Sequence, residues 1–416
     1  METQSYADFS AKIHQHVNAR RIPVNGTIEL TNRCPLTCAH CYNNLPMNDG
    51  AARAAELSLV EHRALLDELA ELGCLWLLYS GGEIFARRDF LDIYAHAKRR
   101  GFLVTLFTNG ILIDERIADR LAELPPFAIE ITLYGATRET YEALTGIPGS
   151  FDKCMRGIRL LLERKLPLSL KTVAVSINVH EVFAMKQLAE DLGVEFKFDA
   201  MINPRIDCSS APLAVRLTAE EIVDLDLRDG ERVVEWRRLA REFTPEPPPP
   251  GETAQIYDCG AGVNSWAVDP YGNITMCVLS HFDKFNVRGR SFREGWEFLT
   301  NTVRMKTVTR PTKCTNCSLK ALCGMCPANG ELENGDPEAP VEWLCRVAHL
   351  RAAAFDVPVR PHGECENCTD DARAAIARAA AAVHQRVATE PMMTPIPIAP
   401  VAAGGCAAGG CTSCRK

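Results

Sequence analysis

The sequence has little of what marks membrane, secreted or nucleic-acid-binding proteins. No stretch reaches the ~18 consecutive apolar residues that a membrane-spanning helix needs. Residues 1–21 lack the apolar core of a signal peptide. The 46 basic and 53 acidic residues give a net charge of −7, so the basic surface of a nucleic-acid-binding protein is not expected. These absences favour a cytoplasmic protein without a membrane or nucleic-acid partner.

Cysteine, by contrast, is abundant. The chain has 18 cysteines among 416 residues, which is still well below the density of a small disulfide scaffold. A chain of this length can bury a core without covalent staples. In a reducing cytosol, clustered cysteines more often bind metal or carry out redox chemistry than form disulfides.

The first half of the chain alternates between strand-like and helix-like patterns. In one helix, Ser58 and Glu61 have capping-box spacing at the start, and Gly73 follows the end. The alternation predicts parallel βα units, arranged as a barrel, a partial barrel or an open sheet, and six strands are fewer than the eight of a closed barrel. The predicted strands are Thr27–Leu30, Leu75–Tyr79, Leu103–Phe107, Ala128–Leu133, Leu168–Val175 and Val194–Phe198.

Changes in composition predict six segments. The α/β region is preceded by a short extension and followed by a proline-rich linker and a cysteine-rich region. An alanine-rich helix and a flexible tail rich in cysteine and glycine end the chain. The expected boundaries are 1–21, 22–243, 244–252, 253–368, 369–390 and 391–416.

Three cysteines follow the first predicted strand with the spacing C-x3-C-x2-C: Cys34, Cys38 and Cys41. Thiolates on one short loop can converge on a metal centre, and they are soft ligands suited to iron–sulfur clusters or zinc. A 4Fe–4S cube ordinarily takes four cysteines, so three would leave one iron open for a substrate or cofactor. The alternative is a zinc site completed by His40 or by a distant residue.

This loop resembles the CxxxCxxC signature of the radical S-adenosylmethionine (SAM) enzymes. Directly after the second predicted strand, the sequence SGGE resembles the GGE motif with which that family binds the amino group of SAM. The resemblance implies that Gly81 and Gly82 let the backbone approach SAM and that Glu83 pairs with its ammonium. The family often has proline after this glutamate, whereas this chain has Ile84.

Further SAM contacts follow from the same resemblance. Thr108 and Asn109 end the third strand in a Thr-Asn-Gly turn similar to one that recurs near SAM in the family, although Asn-Gly is also a common plain turn. Thr132 and Asn178 are candidates for contacts with the ribose or adenine. Asn178 is alternatively a helix N-cap.

Seven further cysteines lie within 87 residues of the C-terminal half: Cys259, Cys277, Cys314, Cys317, Cys323, Cys326 and Cys345. Their number and pairing indicate metal binding, and zinc is one possibility because CxxC pairs also build zinc ribbons. The array resembles the SPASM domain, a C-terminal extension of some radical SAM enzymes that carries auxiliary iron–sulfur clusters.

The SPASM resemblance implies two cluster sites. The second site would have three thiols, which leaves an open iron or a place for a ligand such as Asp258. Two spacings depart from the family pattern, since two residues rather than three separate the last pair of the central run, and no cysteine lies between the first two of the array. The implied ligands are Cys314, Cys317, Cys323 and Cys345 for one cluster, and Cys259, Cys277 and Cys326 for the other.

The remaining cysteines have less specific interpretations. Cys74, Cys154 and Cys208 occur singly and are expected as small buried hydrophobic residues, with an active-site thiol as an alternative for Cys208. Cys365 and Cys368 form a CxxC pair that could bind metal or cycle as a dithiol. The tail carries a potential metal-scavenging or redox motif, or a sequence that mimics a peptide substrate, at Cys406, Cys411 and Cys414.

The family resemblance implies a partial (βα)6 radical SAM barrel with an irregular C-terminal SPASM domain. In such an enzyme a reduced cluster splits SAM, and the resulting 5′-deoxyadenosyl radical abstracts hydrogen from a substrate. Many SPASM relatives modify peptides or protein side chains, so the leading hypothesis is a peptide or protein maturase. Its electrons are expected to come from a donor of the flavodoxin or ferredoxin type.

Two other functions are considered. One is a radical SAM enzyme of tetrapyrrole or small-cofactor biosynthesis. The other is a non-catalytic iron–sulfur or zinc protein that carries electrons or serves as a scaffold. The SGGE motif beside the cysteine loop opposes the second alternative, because an electron carrier needs no SAM pocket.

Overall fold

The computed structural model describes residues 5–243, 254–362 and 365–390. The predicted linker 244–252 and tail 391–416, with the three tail cysteines, lie outside these residues. Across the described part of the chain, no helix combines the length and the apolar character needed to cross a bilayer.

Eleven short strands form two sheets among the described residues. The larger has the order β11-β10-β9-β1-β4-β5-β6-β7-β8, and β2 pairs with β3 in the smaller. The strands are β1 (Asn25–Glu29), β2 (Arg33–Cys34), β3 (Leu45–Pro46), β4 (Trp76–Ser80), β5 (Leu103–Thr108), β6 (Ala128–Thr132), β7 (Leu168–Val173), β8 (Glu195–Asp199), β9 (Ser265–Val268), β10 (Asn273–Thr275) and β11 (Phe285–Asn286).

The helices lie mainly in the connections between strands. They are α1 (Tyr6–Asn18), α2 (Gly50–Ala55), α3 (Leu59–Glu71), α4 (Phe90–Arg99), α5 (Glu115–Glu123), α6 (Arg138–Thr145), α7 (Ser150–Glu163), α8 (Val182–Asp191), α9 (Ala219–Arg228), α10 (Gly230–Glu242), α11 (Phe292–Phe298), α12 (Lys320–Cys323), α13 (Pro327–Asn334), α14 (Glu342–Ala354) and α15 (Asp370–Thr389). A π-helical turn spans Leu299–Val303, and 3-10 turns span Ile84–Ala86, Val179–Glu181, Ala211–Val215 and Glu366–Cys368.

The predicted α/β fold is confirmed. The six strands β1 and β4 to β8 pair in parallel, and each lies within two residues of its predicted bounds. Each strand alternates buried and less buried side chains, and the buried set forms one continuous hydrophobic core with the covering helices. The predicted capping box of α3 is present, with Ser58 accepting from the Glu61 amide and the Glu61 side chain accepting from the Ser58 amide.

The sheet also includes a strand from the cysteine-rich region, which the sequence analysis did not predict. Strand β9 pairs in parallel with β1, and β10 and β11 extend it as antiparallel strands. A Cβ atom at Gly26 would lie 2.1 Å from the indole ring of Trp266, so glycine allows β9 to pack here. The Trp266 indole N–H donates to the Pro23 carbonyl at 3.1 Å. The cysteine-rich region is therefore joined to the α/β region through the main sheet.

Three helices of the C-terminal half form a layer of their own, in which α9, α14 and α15 pack against one another. Asp226 of α9 is fully buried and accepts from Arg351 of α14 at 2.8 Å and from Arg232 of α10 at 2.9 Å. Few side chains of α15 are buried, and they are the small or medium residues Ile376, Ala380 and Val383.

Candidate active site

A cavity of about 390 Å³ opens at the carboxyl ends of the parallel strands, where βα folds place their active sites. Residues that follow four neighbouring strands meet there. The cavity lining includes these sequence-predicted residues: Cys34, Cys38, Cys41, Gly81, Gly82, Thr108, Asn109 and Thr132. The structure thus brings together all three cysteines of the loop and most of the predicted SAM contacts.

Backbone hydrogen bonds hold the cysteine loop in place. The amides of Thr37 and Ala39 donate to the carbonyls of Thr145 and Leu144 at the end of α6, at 2.9 and 3.1 Å. On the other side of the loop, the Arg205 guanidinium donates to the Cys41 carbonyl at 3.2 Å. The loop is therefore attached to both sides of the partial barrel.

A buried ion pair fixes the chain immediately before the first cysteine. The Glu56 carboxylate accepts from Nε and Nη2 of Arg33 at 2.8 and 2.9 Å, and from the Thr31 hydroxyl at 2.5 Å. Arg87 approaches the same carboxylate at 3.6 Å. Because all these side chains are buried, Glu56 balances positive charge that water cannot reach.

The protein shields the three loop thiols from water, fully at Cys34 and partly at Cys38 and Cys41. Burial raises the pKa of Cys34 to about 12 and also raises the pKa of Cys38 and Cys41, and the charges of neighbouring loop thiols add to this for Cys34 and Cys38. Three thiols that line one cavity become thiolates when a positively charged group binds them. This donor set fits an iron–sulfur cluster that three cysteines hold.

His40 also lines the cavity, with its ring centroid 5.5 Å from that of Tyr134. Its Nδ1 atom is buried and has no hydrogen-bond partner. Its position therefore leaves His40 available to complete a zinc site.

The SGGE turn packs directly on the start of the cysteine loop. The Gly82 amide donates to the Thr31 carbonyl at 2.6 Å, and the Glu83 amide donates to the Arg33 carbonyl at 3.0 Å. A Cβ atom at Gly81 would lie 2.3 Å from the Thr31 carbonyl oxygen, and Gly81 has a φ of +129°. Glycine is needed because two backbone segments touch here.

Glu83 lies behind the cavity wall instead of lining it, and it is 1% exposed. Its carboxylate accepts from the Thr108 hydroxyl at 2.7 Å and from the Asn109 amide at 2.9 Å. Burial raises its pKa to about 7, while these hydrogen bonds favour the charged form. In this structure Glu83 joins the SGGE turn to the Thr-Asn-Gly turn.

This geometry predicts how two substitutions at Glu83 differ. Glu83→Ala removes the acceptor for two buried donors and is expected to weaken SAM binding about 10- to 100-fold, as loss of a supporting partner commonly does. Glu83→Gln is expected to weaken it much less, because the amide oxygen still accepts and the Thr108 hydroxyl can reverse its role. Isothermal titration of the reconstituted protein with SAM measures both. Equal losses in the two variants would show that the charge itself contacts SAM.

Asn178 lies beneath the site and is fully buried. Its side-chain oxygen accepts from the Val175 amide at 2.8 Å, and its side-chain nitrogen donates to the carbonyls of Tyr134 and Val173. It begins the 3-10 turn Val179–Glu181 without a side-chain cap. These contacts tie together the segments that follow β6 and β7.

The sequence analysis missed several cavity residues, among them Tyr134, Asp199 and Asn203. Asp199 is the last residue of β8, and Tyr134 follows β6. Their positions at the carboxyl ends of predicted strands could have identified them as cavity residues.

Two groups of thiols lie in the cysteine-rich region. The first lines a second cavity of about 370 Å³, and its members are Cys314, Cys317, Cys323 and Cys326. In the second group, burial raises the pKa of Cys277 to about 11, and the charges of Cys326 and Cys259 raise it further. Cys326 therefore lies in the first group and acts electrostatically on the second. The implied second cluster of Cys259, Cys277 and Cys326 stays a prediction.

Cys345 has neighbours that the sequence analysis did not expect. Its sulfur lies 3.8 Å from that of Cys365 and 3.7 Å from Nδ1 of His349. The implied grouping with the three cysteines of the central run stays a prediction. The i, i+4 spacing of Cys345 and His349 on one helix was the missed signal.

The single cysteines also have distinct surroundings. Cys154 is 0% exposed and Cys74 is 7% exposed, which confirms them as buried hydrophobic residues. Cys208 is exposed, so its predicted burial is wrong. It has a φ of +64°, and its sulfur lies 3.9 Å from the Glu331 carbonyl.

Residues 28–189 match the family model described as the radical SAM superfamily. This chain is an enzyme with a radical SAM domain. Members of the superfamily use a 4Fe–4S cluster and SAM, and the enzyme provides three convergent thiols that fit such a cluster. The cysteine-rich C-terminal region fits auxiliary clusters.

Two kinds of curated relatives resemble the enzyme. The AdoMet-dependent heme synthase of Methanosarcina barkeri is 25% identical over 338 residues, which are 74% of this chain and 92% of the relative. The PqqA peptide cyclase of Xanthomonas campestris pv. campestris is 26% identical over 366 residues, which cover 81% of this chain and 92% of the relative. The PqqA peptide cyclase of Granulibacter bethesdensis is 33% identical, but the match covers 41% of this chain and 45% of that protein.

Solved structures share the fold. SuiB of Streptococcus suis bound to its precursor peptide SuiA superposes with a TM-score of 0.61 at 15% identity, covering 83% of this chain and 82% of SuiB. The structure of anSMEcpe with bound AdoMet and the Cp18Cys peptide gives a TM-score of 0.57 at 17% identity, and the match covers 81% of this chain and 97% of anSMEcpe. These likenesses extend well beyond the radical SAM domain and confirm the fold class.

Proposed function

We propose that the enzyme modifies a carbon of a peptide or protein side chain by radical SAM chemistry. The observation that carries this proposal is the extent of the shared architecture, since more than four-fifths of the chain follows two structures that were solved with peptides bound. Matches to PqqA peptide cyclases support the same substrate class.

In the proposed mechanism the chain binds and orients its cofactors. Cys34, Cys38 and Cys41 would hold the 4Fe–4S cluster, and the backbone at Gly81 and Gly82 would lie against SAM. When bound and reduced, these cofactors supply a 5′-deoxyadenosyl radical that takes a hydrogen atom from the substrate.

Other predicted contacts complete the SAM side of the cavity. Thr108, Asn109 and Thr132 lie along one wall. We propose that the Asn109 side chain acts on the cluster side, because its amide nitrogen donates to the Cys34 sulfur at 3.5 Å. Asn178 acts indirectly, by holding the strand ends in place.

The substrate would enter between the partial barrel and the cysteine-rich region. Leu279, two residues after Cys277, lines the same cavity as the three loop cysteines. The Cys277 thiol is close enough to Tyr42 for its charge to raise the tyrosine pKa. A cluster at Cys259, Cys277 and Cys326 would therefore be placed to accept one electron from the substrate radical that remains after hydrogen abstraction, which leaves the product oxidised. A flavodoxin or ferredoxin in the cytoplasm would reduce the SAM cluster.

Tetrapyrrole chemistry is the second candidate. The heme synthase of M. barkeri matches over 74% of this chain and nearly its own full length. This observation favours a porphyrin-type substrate in place of a peptide.

The test is an anaerobic assay of the reconstituted enzyme with SAM and dithionite. One set of reactions contains synthetic peptides encoded by short reading frames beside the gene, and the other contains iron coproporphyrin III. We expect a peptide to stimulate 5′-deoxyadenosine formation and to change in mass, whereas the porphyrin remains unchanged. Conversion of the porphyrin with inert peptides would instead support the second candidate.

A further inference from the structure

Five metal-binding side chains meet where the last two helices approach each other. Cys345 and His349 lie one turn apart on α14, and His362, Cys365 and Cys368 precede α15. Two overlapping triads have ligand atoms within 4.8 Å of one another: Cys345, His349 and Cys365, and His362, Cys365 and Cys368.

The distances within this cluster suit one small ion. Nε2 of His349 lies 3.4 Å from the Cys368 sulfur and 3.8 Å from the Cys365 sulfur. Nδ1 of His362 lies 3.7 Å from the Cys368 sulfur. Two ligands of one tetrahedral zinc ion are expected about 3.5–3.8 Å apart, given Zn–S and Zn–N bonds of about 2.3 and 2.0–2.1 Å.

These separations differ from what a 4Fe–4S cube requires. In a cube each thiolate binds a different iron atom, so the sulfur atoms of the ligands lie much farther apart. The measured spacings therefore point to a mononuclear centre. A mixture of two thiolates and two imidazoles is also a common donor set for zinc.

A hydrogen bond sets the ring orientation of His349. Its Nδ1 lies 2.9 Å from the Cys345 carbonyl oxygen, and only a protonated Nδ1 can donate to that oxygen. The lone pair is then on Nε2, the atom that faces Cys365 and Cys368. Histidine ligands commonly donate their other N–H to a backbone carbonyl in this way.

We propose that His349, His362, Cys365 and Cys368 bind one divalent metal ion of the zinc class. Nδ1 of His362 lies 3.0 Å from the Arg360 carbonyl, so it carries the ring proton in this structure. Metal binding at this atom replaces that hydrogen bond and moves the proton to Nε2. Cys345 lies beside the centre, with its sulfur 3.8 Å from that of Cys365. These ligands differ from Cys34, Cys38 and Cys41, so the zinc site does not depend on the proposed function.

The metal ion would add bonds at one end of two helices that already pack against each other. His349 belongs to α14, whereas Cys368 lies two residues before the first residue of α15. Metal–ligand bonds at this junction would therefore fix the start of α15, in the way that structural zinc sites stabilise small folds.

The test measures metal in the full-length protein without an activity assay. The background variant carries Cys406→Ser, Cys411→Ser and Cys414→Ser, so that tail thiols cannot retain zinc. After iron–sulfur reconstitution and removal of loose metal, we expect close to one zinc per chain by elemental analysis. X-ray absorption at the zinc edge should give two sulfur and two nitrogen ligands.

Variants then assign the ligands. Cys368→Ser and His349→Gln should each lose most of the zinc while iron per chain is unchanged, which also reports that the protein remains folded. Cys208→Ser is the matched control, because this exposed thiol lies outside the cluster, and it should keep its zinc.

Several results would overturn the proposal. Absence of zinc would refute the proposed site. Loss of about four iron atoms per chain in Cys368→Ser would instead assign Cys368 to an iron–sulfur cluster. If X-ray absorption gave three sulfur ligands and one nitrogen ligand, Cys345 would be a zinc ligand in place of His362. If it gave four sulfur ligands, the zinc would lie at another site.

Discussion

Replacing Cys38 with alanine is expected to abolish formation of 5′-deoxyadenosine from SAM. Cys38 lies on the same cavity wall as Cys34 and Cys41, and a cluster held by two thiolates would lose both its iron and its open coordination position. Loss of a supporting partner of a metal ligand commonly costs about 10- to 100-fold in metal affinity or activity, so loss of the ligand itself should cost more than about 100-fold. Anaerobic chromatography after dithionite reduction measures the product.

Cys208→Ala is the control for this experiment, since Cys208 is exposed and does not line the cavity of the cysteine loop. It should retain product formation and iron content. Product that survives Cys38→Ala would place the SAM-cleaving cluster elsewhere in the chain.

Replacing Glu56 with alanine is expected to produce the largest loss of stability among single substitutions near the site. The change leaves the buried Arg33 guanidinium without its carboxylate and removes an acceptor from the Thr31 hydroxyl. Removing one partner of a buried ion pair typically costs about 3–5 kcal/mol of unfolding free energy. Urea denaturation of the reconstituted protein, followed by tryptophan fluorescence, measures the shift of the unfolding midpoint.

Glu123→Ala provides a matched comparison, because its ion pair with Arg120 is exposed to solvent on both sides and such pairs contribute little. The Glu56 variant should also bind less iron, since the affected residues directly precede Cys34. A midpoint equal to that of Glu123→Ala would contradict the role assigned to Glu56.

The sequence predicted the parallel part of the fold well because local patterns specify it. Each predicted strand is a short apolar run, and the cysteine loop and SGGE turn follow two of those strands, so their meeting at one edge of the sheet follows from parallel topology. The position of Glu83 behind the wall was not predictable, because it depends on backbone contacts between the SGGE turn and residues 31–33.

Contacts between segments that are distant in the sequence could not be predicted. Ser265–Val268 is a four-residue strand, too short for its periodicity to identify a partner. The i, i+4 spacing places His349 beside Cys345, but only the packing of α14 against the segment before α15 brings it to Cys365 and Cys368. Information of this kind lies in contacts between distant segments.

The pairing of β9 with β1 has a practical consequence for dissecting this enzyme. A fragment that stops at residue 243 would leave β1 as an edge strand, with unpaired amides and carbonyls along one side. It would also strip the Trp266 ring from Gly26 and open a gap in the core. Such a truncated barrel would be prone to self-association, so each half is best studied by point substitution within the intact polypeptide.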